Sequence, residues 1–227
     1  MPEKPSSAVV LLSGGQDSTT CLYWALQKFE DVHAVGFDYG QRHRVELEQA
    51  RKIAELAGVP YTVYNLQGLL EGSALVEPEK DISAPHERAA HLPASFVPGR
   101  NALFLTVAAG YAFNHGIHDL VGGMCQTDYS GYPDCRRDFI DAMEKSLSLA
   151  LDWPIRIHTP LMYLTKAETW KMAADLGILD IIREYTHTDY HGDRSTWNEW
   201  GYGRLDNPAS ILRAKGYEEA KARGWIP

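Results

Sequence analysis

Short apolar runs alternate with helical patterns through most of the chain. The runs predict five strands, at residues 8–12, 32–38, 61–66, 119–122 and 156–158. The intervening segments predict helices at 18–28, 46–57, 102–115 and 134–151, and one that begins near Thr165 and ends before Gly177. Strands that alternate with helices predict an open parallel sheet with right-handed crossovers and helices on both faces, a Rossmann-like α/β class.

Two segments depart from this alternation. Residues 67–99 hold four prolines and no clear period, which is typical of a lid or a substrate loop. The polar and aromatic tail shows only a short helix, near 209–215. We therefore expect one α/β domain at 1–185 and a small appendage at 186–227 that packs on it.

Composition narrows the class of protein. The net charge of −8 argues against a broad nucleic-acid or acidic-membrane surface. No apolar run approaches the roughly 20 residues of a membrane span, and the first residues do not resemble a signal peptide. Three cysteines do not make a disulfide framework. The expected location is the cytoplasm.

A glycine pair joins the first strand to the first helix. Because a helix start has backbone N–H groups without internal partners, this arrangement favours a bound anion. The residues expected to bind a nucleotide are Leu12, Ser13, Gly14, Gly15, Gln16, Asp17, Ser18 and Thr19. Asp17 is interpreted as the N-cap or as a group facing Mg²⁺. The stretch resembles the pyrophosphate loop of the ATP pyrophosphatase superfamily; the alternative is a plain capped turn.

Two basic residues stand where the helix dipole does not favour them, at predicted helix starts. Arg100 precedes the third helix and Lys166 opens the fifth. Both are expected to neutralise ATP phosphates, and with Asp17 they form the predicted catalytic set. The alternative is that both are solvated surface residues.

Loops after the second and fourth strands carry the candidate substrate-binding residues. Their donors, acceptors and aromatic rings suit a planar heterocycle. The set is Tyr39, Gln41, Arg42, His43, Gln126, Asp128, Tyr129, Tyr132 and Asp134. Arg42 and His43 could equally be a surface pair, and Asp134 could be the N-cap of the fourth helix. The three cysteines have no evident paired base and are expected to be unreactive.

Together these motifs resemble the 7-cyano-7-deazaguanine synthase family. The matching stretches are SGGQDSTTC at 13–21, FDYGQRH at 37–43, FVPGRN at 96–101, QTDYSGYPDCR at 126–136, TPL at 159–161 and TKAET at 165–169. The resemblance implies an adenine nucleotide α-hydrolase-like fold and a homodimer. It also implies that MgATP activates 7-carboxy-7-deazaguanine, that ammonia forms the amide, and that a second activation gives the nitrile. No direct nucleic-acid partner is implied.

The family that the chain resembles carries a structural zinc ion on four cysteines. The tail departs from this pattern. Its positions correspond here to Asp189, Arg204, Asn207 and Ser210, so zinc is expected to be absent. The pattern His187-x-Asp189-x-His191 could form a different metal site; the alternative is that these are exposed polar residues. We expect Trp197, Trp200 and Tyr202 to hold the tail. The departure keeps two other hypotheses open: a paralogue that stops at the amide or uses another acceptor, and a non-catalytic nucleotide-binding protein.

Overall fold

The computed structural model describes residues 7–41, 45–70, 73, 75–76, 85–86, 89–127, 131–189, 192 and 194–227. Its centre is a five-stranded parallel sheet of order β3-β2-β1-β6-β7. These strands are β1 Ser7–Leu11, β2 Asp31–Asp38, β3 Tyr61–Asn65, β6 Asp119–Val121 and β7 Arg156–His158. Two small antiparallel hairpins complete the strands, formed by β4 Pro85–His86 with β5 Ala89–Pro93 and by β8 Trp197–Asn198 with β9 Gly201–Tyr202. The predicted fold class is confirmed.

Seven α-helices lie within the described residues. They are α1 Gln16–Lys28, α2 Val45–Ala57, α3 Arg100–Asn114, α4 Arg137–Leu151, α5 Lys166–Asp175, α6 Leu179–Tyr185 and α7 Pro208–Ala222. None of the helices in this part of the chain is both long and apolar enough to cross a membrane.

Side-chain alternation along β1 divides the core between the two faces of the sheet. Val9 points into a cluster with Leu105 of α3 and Ile140 of α4. Val10 points the other way, into a cluster with Leu22 of α1 and Ile53 of α2. Both faces are therefore covered by helices, as a parallel sheet requires.

A third apolar cluster joins the end of the chain to α5. It combines Trp170 of α5, Ile182 of α6, Trp200, and Tyr217 of α7. Because this cluster contains residues from both sides of the expected boundary at 185, the tail shares a core with the sheet domain.

The helix predictions are wrong in three places. Helix α6 gave no sequence signal, since its seven residues are too few to show a period. Helix α7 extends over 15 residues, from Pro208 to Ala222, where only a short segment was predicted. Helix α4 begins at Arg137 instead of Asp134, because Pro133–Cys135 forms a separate 3₁₀ turn.

One buried carboxylate ties the outer strand β7 to β6. Asp119 accepts hydrogen bonds from Arg156 Nε at 2.8 Å and from His158 Nε2 at 2.7 Å. Burial alone would raise the pKa of Asp119, but these donors outweigh it and lower the pKa to about 2. The ionised carboxylate therefore stabilises the folded state above its unfolded pKa near 4, and that contribution disappears as the pH falls towards 2.

We predict that Asp119→Asn lowers the free energy of unfolding at pH 7 by about 2 kcal/mol, because it removes the charged acceptor. Urea titrations at pH 7 and pH 3 measure this, and the gap between wild type and variant should narrow at pH 3. Asp175→Asn is the control, since its pair with Lys171 is exposed. An equal loss in both variants would contradict the prediction.

Candidate functional site

The winding of the chain creates a crevice beside β1. From β1 the chain proceeds to β2 and β3 on one side, and it later returns to place β6 and β7 on the other. Ligands of open parallel sheets bind at such a reversal, beyond the carboxyl ends of the strands. The segment that follows β1 at this point is the glycine pair with the start of α1.

The start of α1 carries no side-chain cap. Gly15 is the N-cap residue, and the first helical residue is Gln16, two positions earlier than predicted. The hydroxyls of Ser13 and Ser18 lie 3.0 Å apart, and Thr19 Oγ1 donates to the Gly15 carbonyl at 2.8 Å. The hydroxyls thus brace the turn, and the N–H groups of the first helical turn are not covered by a capping side chain.

Gly14 lies where no other residue fits. Its φ is +86°, and an added Cβ would lie 2.3 Å from the Glu46 carbonyl oxygen and 2.8 Å from the Ala50 nitrogen. Its own carbonyl accepts a hydrogen bond from the His187 N–H at 2.9 Å. The loop is therefore held between α2 and the segment after α6.

Asp17 and Lys166 form an ion pair at this turn. Lys166 Nζ lies 2.8 and 3.1 Å from the two carboxylate oxygens of Asp17. The side chain of Lys166 is 14% exposed and that of Asp17 is 28% exposed. Lys166 opens α5, whose predicted capping box of Thr165 and Glu168 is confirmed. The interpretation of Asp17 as the N-cap is wrong, since that position belongs to Gly15.

A second group of predicted residues surrounds Arg100 at the start of α3. Its guanidinium hydrogen-bonds the hydroxyl of Tyr39 and lies 6.0 Å from the ring centre of Tyr132. Burial would lower the pKa of Arg100, but Tyr39, Tyr132 and Asp134 raise it above its ordinary value. Arg100 is therefore a cation at neutral pH.

Asp134 caps a different helix from the one expected. It is buried, and its Oδ2 accepts from the Asn101 N–H at 3.1 Å, in the first turn of α3. The interpretation as N-cap of α4 is wrong, because Pro133–Cys135 turns the carboxylate towards α3. The place beside α4 is taken by Gln126, whose Oε1 accepts from the Arg137 N–H at 3.0 Å.

The remaining predicted residues divide into three groups. Gln41 folds back on β2, with Oε1 accepting from the Tyr39 N–H at 3.0 Å. Leu12 and Gln16 are buried beneath the turn, and Gln16 Nε2 has no hydrogen-bond partner among the residues that the structure describes. The predictions for Arg42, His43, Asp128 and Tyr129 lie outside the described residues.

Glu46 was not predicted as a site residue. It opens α2 between the glycine turn and Arg100, and burial raises the pKa of its carboxyl to about 7 although Arg100 opposes the shift. A carboxyl that titrates near neutral pH is suited to proton transfer. The signal in the sequence was weak, because an acidic residue in a first helical turn is common.

The four tail positions that match the family's zinc cysteines are linked in pairs by hydrogen bonds. Asp189 Oδ2 accepts from the Arg204 N–H at 2.8 Å. Asn207 Oδ1 accepts from the Ser210 N–H at 3.0 Å and so caps α7. With an arginine and no thiolate among them, these residues do not fit zinc. Across the described ranges, no three His, Cys, Asp or Glu side chains are placed to hold a metal.

The alternative metal site in the tail is described only in part. His187 Nε2 donates to the Asp189 carbonyl at 2.8 Å, and burial lowers the pKa of this histidine to about 4. His191, the third proposed ligand, lies outside the described residues. Of the aromatic residues expected to hold the tail, Trp200 is buried, whereas Trp197 is exposed and pairs with Tyr202.

Comparison with known proteins decides the family. The family model described as queuosine biosynthesis protein QueC matches residues 7–221. The chain belongs to the QueC family. It is 49% identical to the 7-cyano-7-deazaguanine synthase of Wolinella succinogenes, over 96% of this chain and 94% of that protein. It is 47% identical to the enzyme of the same name from Helicobacter pylori, over 95% and 96%.

Solved structures share the fold at low identity. An NMN synthetase from Francisella tularensis matches with a TM-score of 0.51 and 13% identity, over 99% of this chain and 88% of that one. A 4-thiouridine synthetase, solved as an RNA complex with bound ATP, matches with a TM-score of 0.52 and 19% identity, over 96% and 52%. These likenesses concern the fold alone.

We predict that Gly14→Ala lowers the free energy of unfolding by about 3 kcal/mol or more, because both the φ and the backbone contact oppose a Cβ. Gly68→Ala is the matched control. Its φ is +78° with nothing within 4 Å, so only the conformational cost of about 1 kcal/mol applies. Urea unfolding measures both, and equal losses would show that the contact with α2 is not rigid.

Proposed function

We propose that this chain is a 7-cyano-7-deazaguanine synthase that converts 7-carboxy-7-deazaguanine and ammonia to the nitrile at the expense of ATP. The observation that carries the proposal is the uncapped start of α1 at the sheet reversal, with Lys166 beside it. Family membership gives the substrate class, because its relatives carry that enzyme name.

ATP phosphates are bound by the turn at 13–18 and by the cations around it. The N–H groups at the start of α1 face the anion, and the helix dipole adds to the attraction. Lys166 is held at this point through Asp17, and it neutralises phosphate charge when ATP binds. Asp17, an oxygen ligand that is partly exposed, is the residue that would hold the Mg²⁺ of MgATP.

The deazaguanine ring is bound near Arg100. Tyr39, whose hydroxyl hydrogen-bonds the guanidinium, and Tyr132, whose ring centre lies 6.0 Å from it, are the aromatic residues proposed to contact the ring. A cleft of about 470 Å³ lies next to Asp134 and is lined in part by Phe96 and Phe139.

The chemistry requires activation of a poor electrophile twice. A carboxylate oxygen attacks the α-phosphate of ATP, and pyrophosphate leaves. Ammonia then displaces AMP to give the amide. The amide oxygen attacks the α-phosphate of a second ATP and a second pyrophosphate leaves. Loss of AMP with the two amide protons then gives the nitrile. Glu46, whose carboxyl has a pKa of about 7, lies between the two parts of the site and is proposed to accept one of these protons, and the other passes to solvent. Positioning and charge neutralisation supply the rest.

The proposal extends to the setting of the enzyme. The family resemblance favours a homodimer in the cytoplasm, with residues 186–227 as an appendage to the 1–185 domain. The net charge of −8 does not favour a broad nucleic-acid surface. The product is therefore proposed to leave as a free small molecule.

The purified protein should form the nitrile from 7-carboxy-7-deazaguanine, MgATP and an ammonium salt, with two AMP released for each nitrile. Mass spectrometry of the products, with nucleotide chromatography, measures both. Accumulation of amide alone would support a paralogue that stops at that stage. Folded protein that leaves ATP and substrate unchanged would contradict enzymatic activity.

We predict that Lys166→Gln weakens ATP binding about tenfold or more, because it removes a cation from the phosphate site. Lys171→Gln is the control in the same helix, since Lys171 is 43% exposed and pairs only with Asp175 among its described contacts. Isothermal titration with MgATP measures both. Wild-type affinity in Lys166→Gln would contradict the assigned role.

A further inference from the structure

Helix α7 lies far from the glycine turn in sequence but contacts both groups that build the phosphate site. One contact goes through Gly216 to Lys166, and the other through Arg213 to the segment that holds Gly14. Neither residue has a catalytic role in the chemistry above. Their contacts are nevertheless directed at the two elements on which nucleotide binding depends.

Gly216 sets the distance between α7 and the start of α5. A Cβ at this position would lie 2.6 Å from Lys166 Cγ, 2.8 Å from Lys166 Cβ and 3.0 Å from the Lys166 carbonyl carbon. Two of these three atoms belong to the backbone or to the fixed base of the side chain. Lys166 could not avoid the added methyl by changing rotamer, so α5 would have to move.

Arg213 fastens the segment after α6. Its guanidinium donates to Thr186 Oγ1 at 2.7 Å and to Thr188 Oγ1 at 2.9 Å, the two residues that flank His187. It also donates to the carbonyls of Ile182 at 2.8 Å and Trp200 at 3.0 Å. The His187 N–H between the two threonines holds the Gly14 carbonyl.

The charge of Arg213 is buried with neutral acceptors. The side chain is fully buried between Trp170 and Trp200, and the hydrogen bonds described for it all end on hydroxyl or carbonyl oxygens. Burial lowers its pKa to about 9, and Asp17 of the phosphate site acts in the opposite direction. Arg213 is therefore still a cation at pH 7, and its field reaches Asp17 at the start of α1.

We propose that α7 is part of the frame of the nucleotide site, with Arg213 and Gly216 as positioning residues for Gly14 and Lys166. The inference rests on the proposed function, because the proposed function assigns the nucleotide site to this turn. It assigns to the tail a role in binding the nucleotide that an appendage would not have. The role depends on hydrogen bonds and close packing, so it needs no metal.

The test measures binding of α,β-methylene-ATP with Mg²⁺ by isothermal titration at 20 °C, with the melting temperature of each variant recorded in parallel. Gly216→Ala should weaken binding at least tenfold, because it displaces the start of α5. Thr188→Val removes one anchor of Arg213 and should weaken binding about threefold to tenfold. The melting temperatures show whether each variant is folded at 20 °C, and Thr188→Val, which only removes a hydroxyl, keeps the test decisive if Gly216→Ala is not.

Two matched controls lie in the middle of α3, at residues that have no assigned role in the site. Gly110→Ala adds a methyl in a helix with nothing within 4 Å, and Thr106→Val removes a hydroxyl that bonds only the Ala102 carbonyl among its described partners. Both should bind the analogue as wild type does. Weaker binding in the two α7-linked variants, with control affinities unchanged, supports the proposal.

The contradicting outcomes differ in what they overturn. Wild-type affinity in folded Gly216→Ala and Thr188→Val, even with lowered melting temperatures, would show a purely structural role and overturn this inference alone. Wild-type protein that fails to bind the analogue would overturn the proposed function and this inference with it.

Discussion

The contact between Gly14 and its neighbours is the constraint on which the site depends. The backbone of the turn approaches α2 so closely that a single methyl would meet the Glu46 carbonyl, and its own carbonyl is fixed by His187. A phosphate site built from backbone N–H groups has no side chain that can adjust to a poor fit. Its accuracy therefore comes from rigid packing on both sides of the turn, and that packing is supplied by elements that lie far apart in the sequence.

Charge at the site differs from charge over the whole molecule. The chain carries a net charge of −8, yet Lys166 pairs with Asp17 at the start of α1, and the buried charge of Arg213 acts on the same carboxylate. Asp17 holds Lys166 in place in the structure described here, so an incoming phosphate shares a cation that is already oriented. A local positive field inside a negative protein favours a small anion over a polyanion, because the surrounding surface repels an extended ligand.

Sequence reasoning succeeded where a feature was local. The strands, the glycine turn and the Thr165–Glu168 capping box depend on residues within a few positions of one another, and each is confirmed. It failed where a residue serves a distant partner. Asp134 was read with the helix that follows it, yet it caps α3. Nothing near Arg213 in the sequence indicates that its guanidinium fastens residues 182–188, because that arrangement exists only after α6 and α7 pack on Trp170.

The tail illustrates how a cross-link can be replaced without loss of connectivity. A zinc site with four thiolates would join residues 189, 204, 207 and 210 at one point. Here the same positions are joined in two pairs, Asp189 with the Arg204 N–H and Asn207 with the Ser210 N–H. Each pair is weaker than a metal bond, but neither depends on a metal supply. The Asn207–Ser210 bond is buried, and the Asp189–Arg204 bond is partly buried. Arg213 also links this part of the chain. Its four hydrogen bonds reach Ile182 of α6, Thr186 and Thr188 in the following segment, and Trp200. The segment that contains His187, and with it the hydrogen bond to the Gly14 carbonyl, is therefore held by protein groups alone.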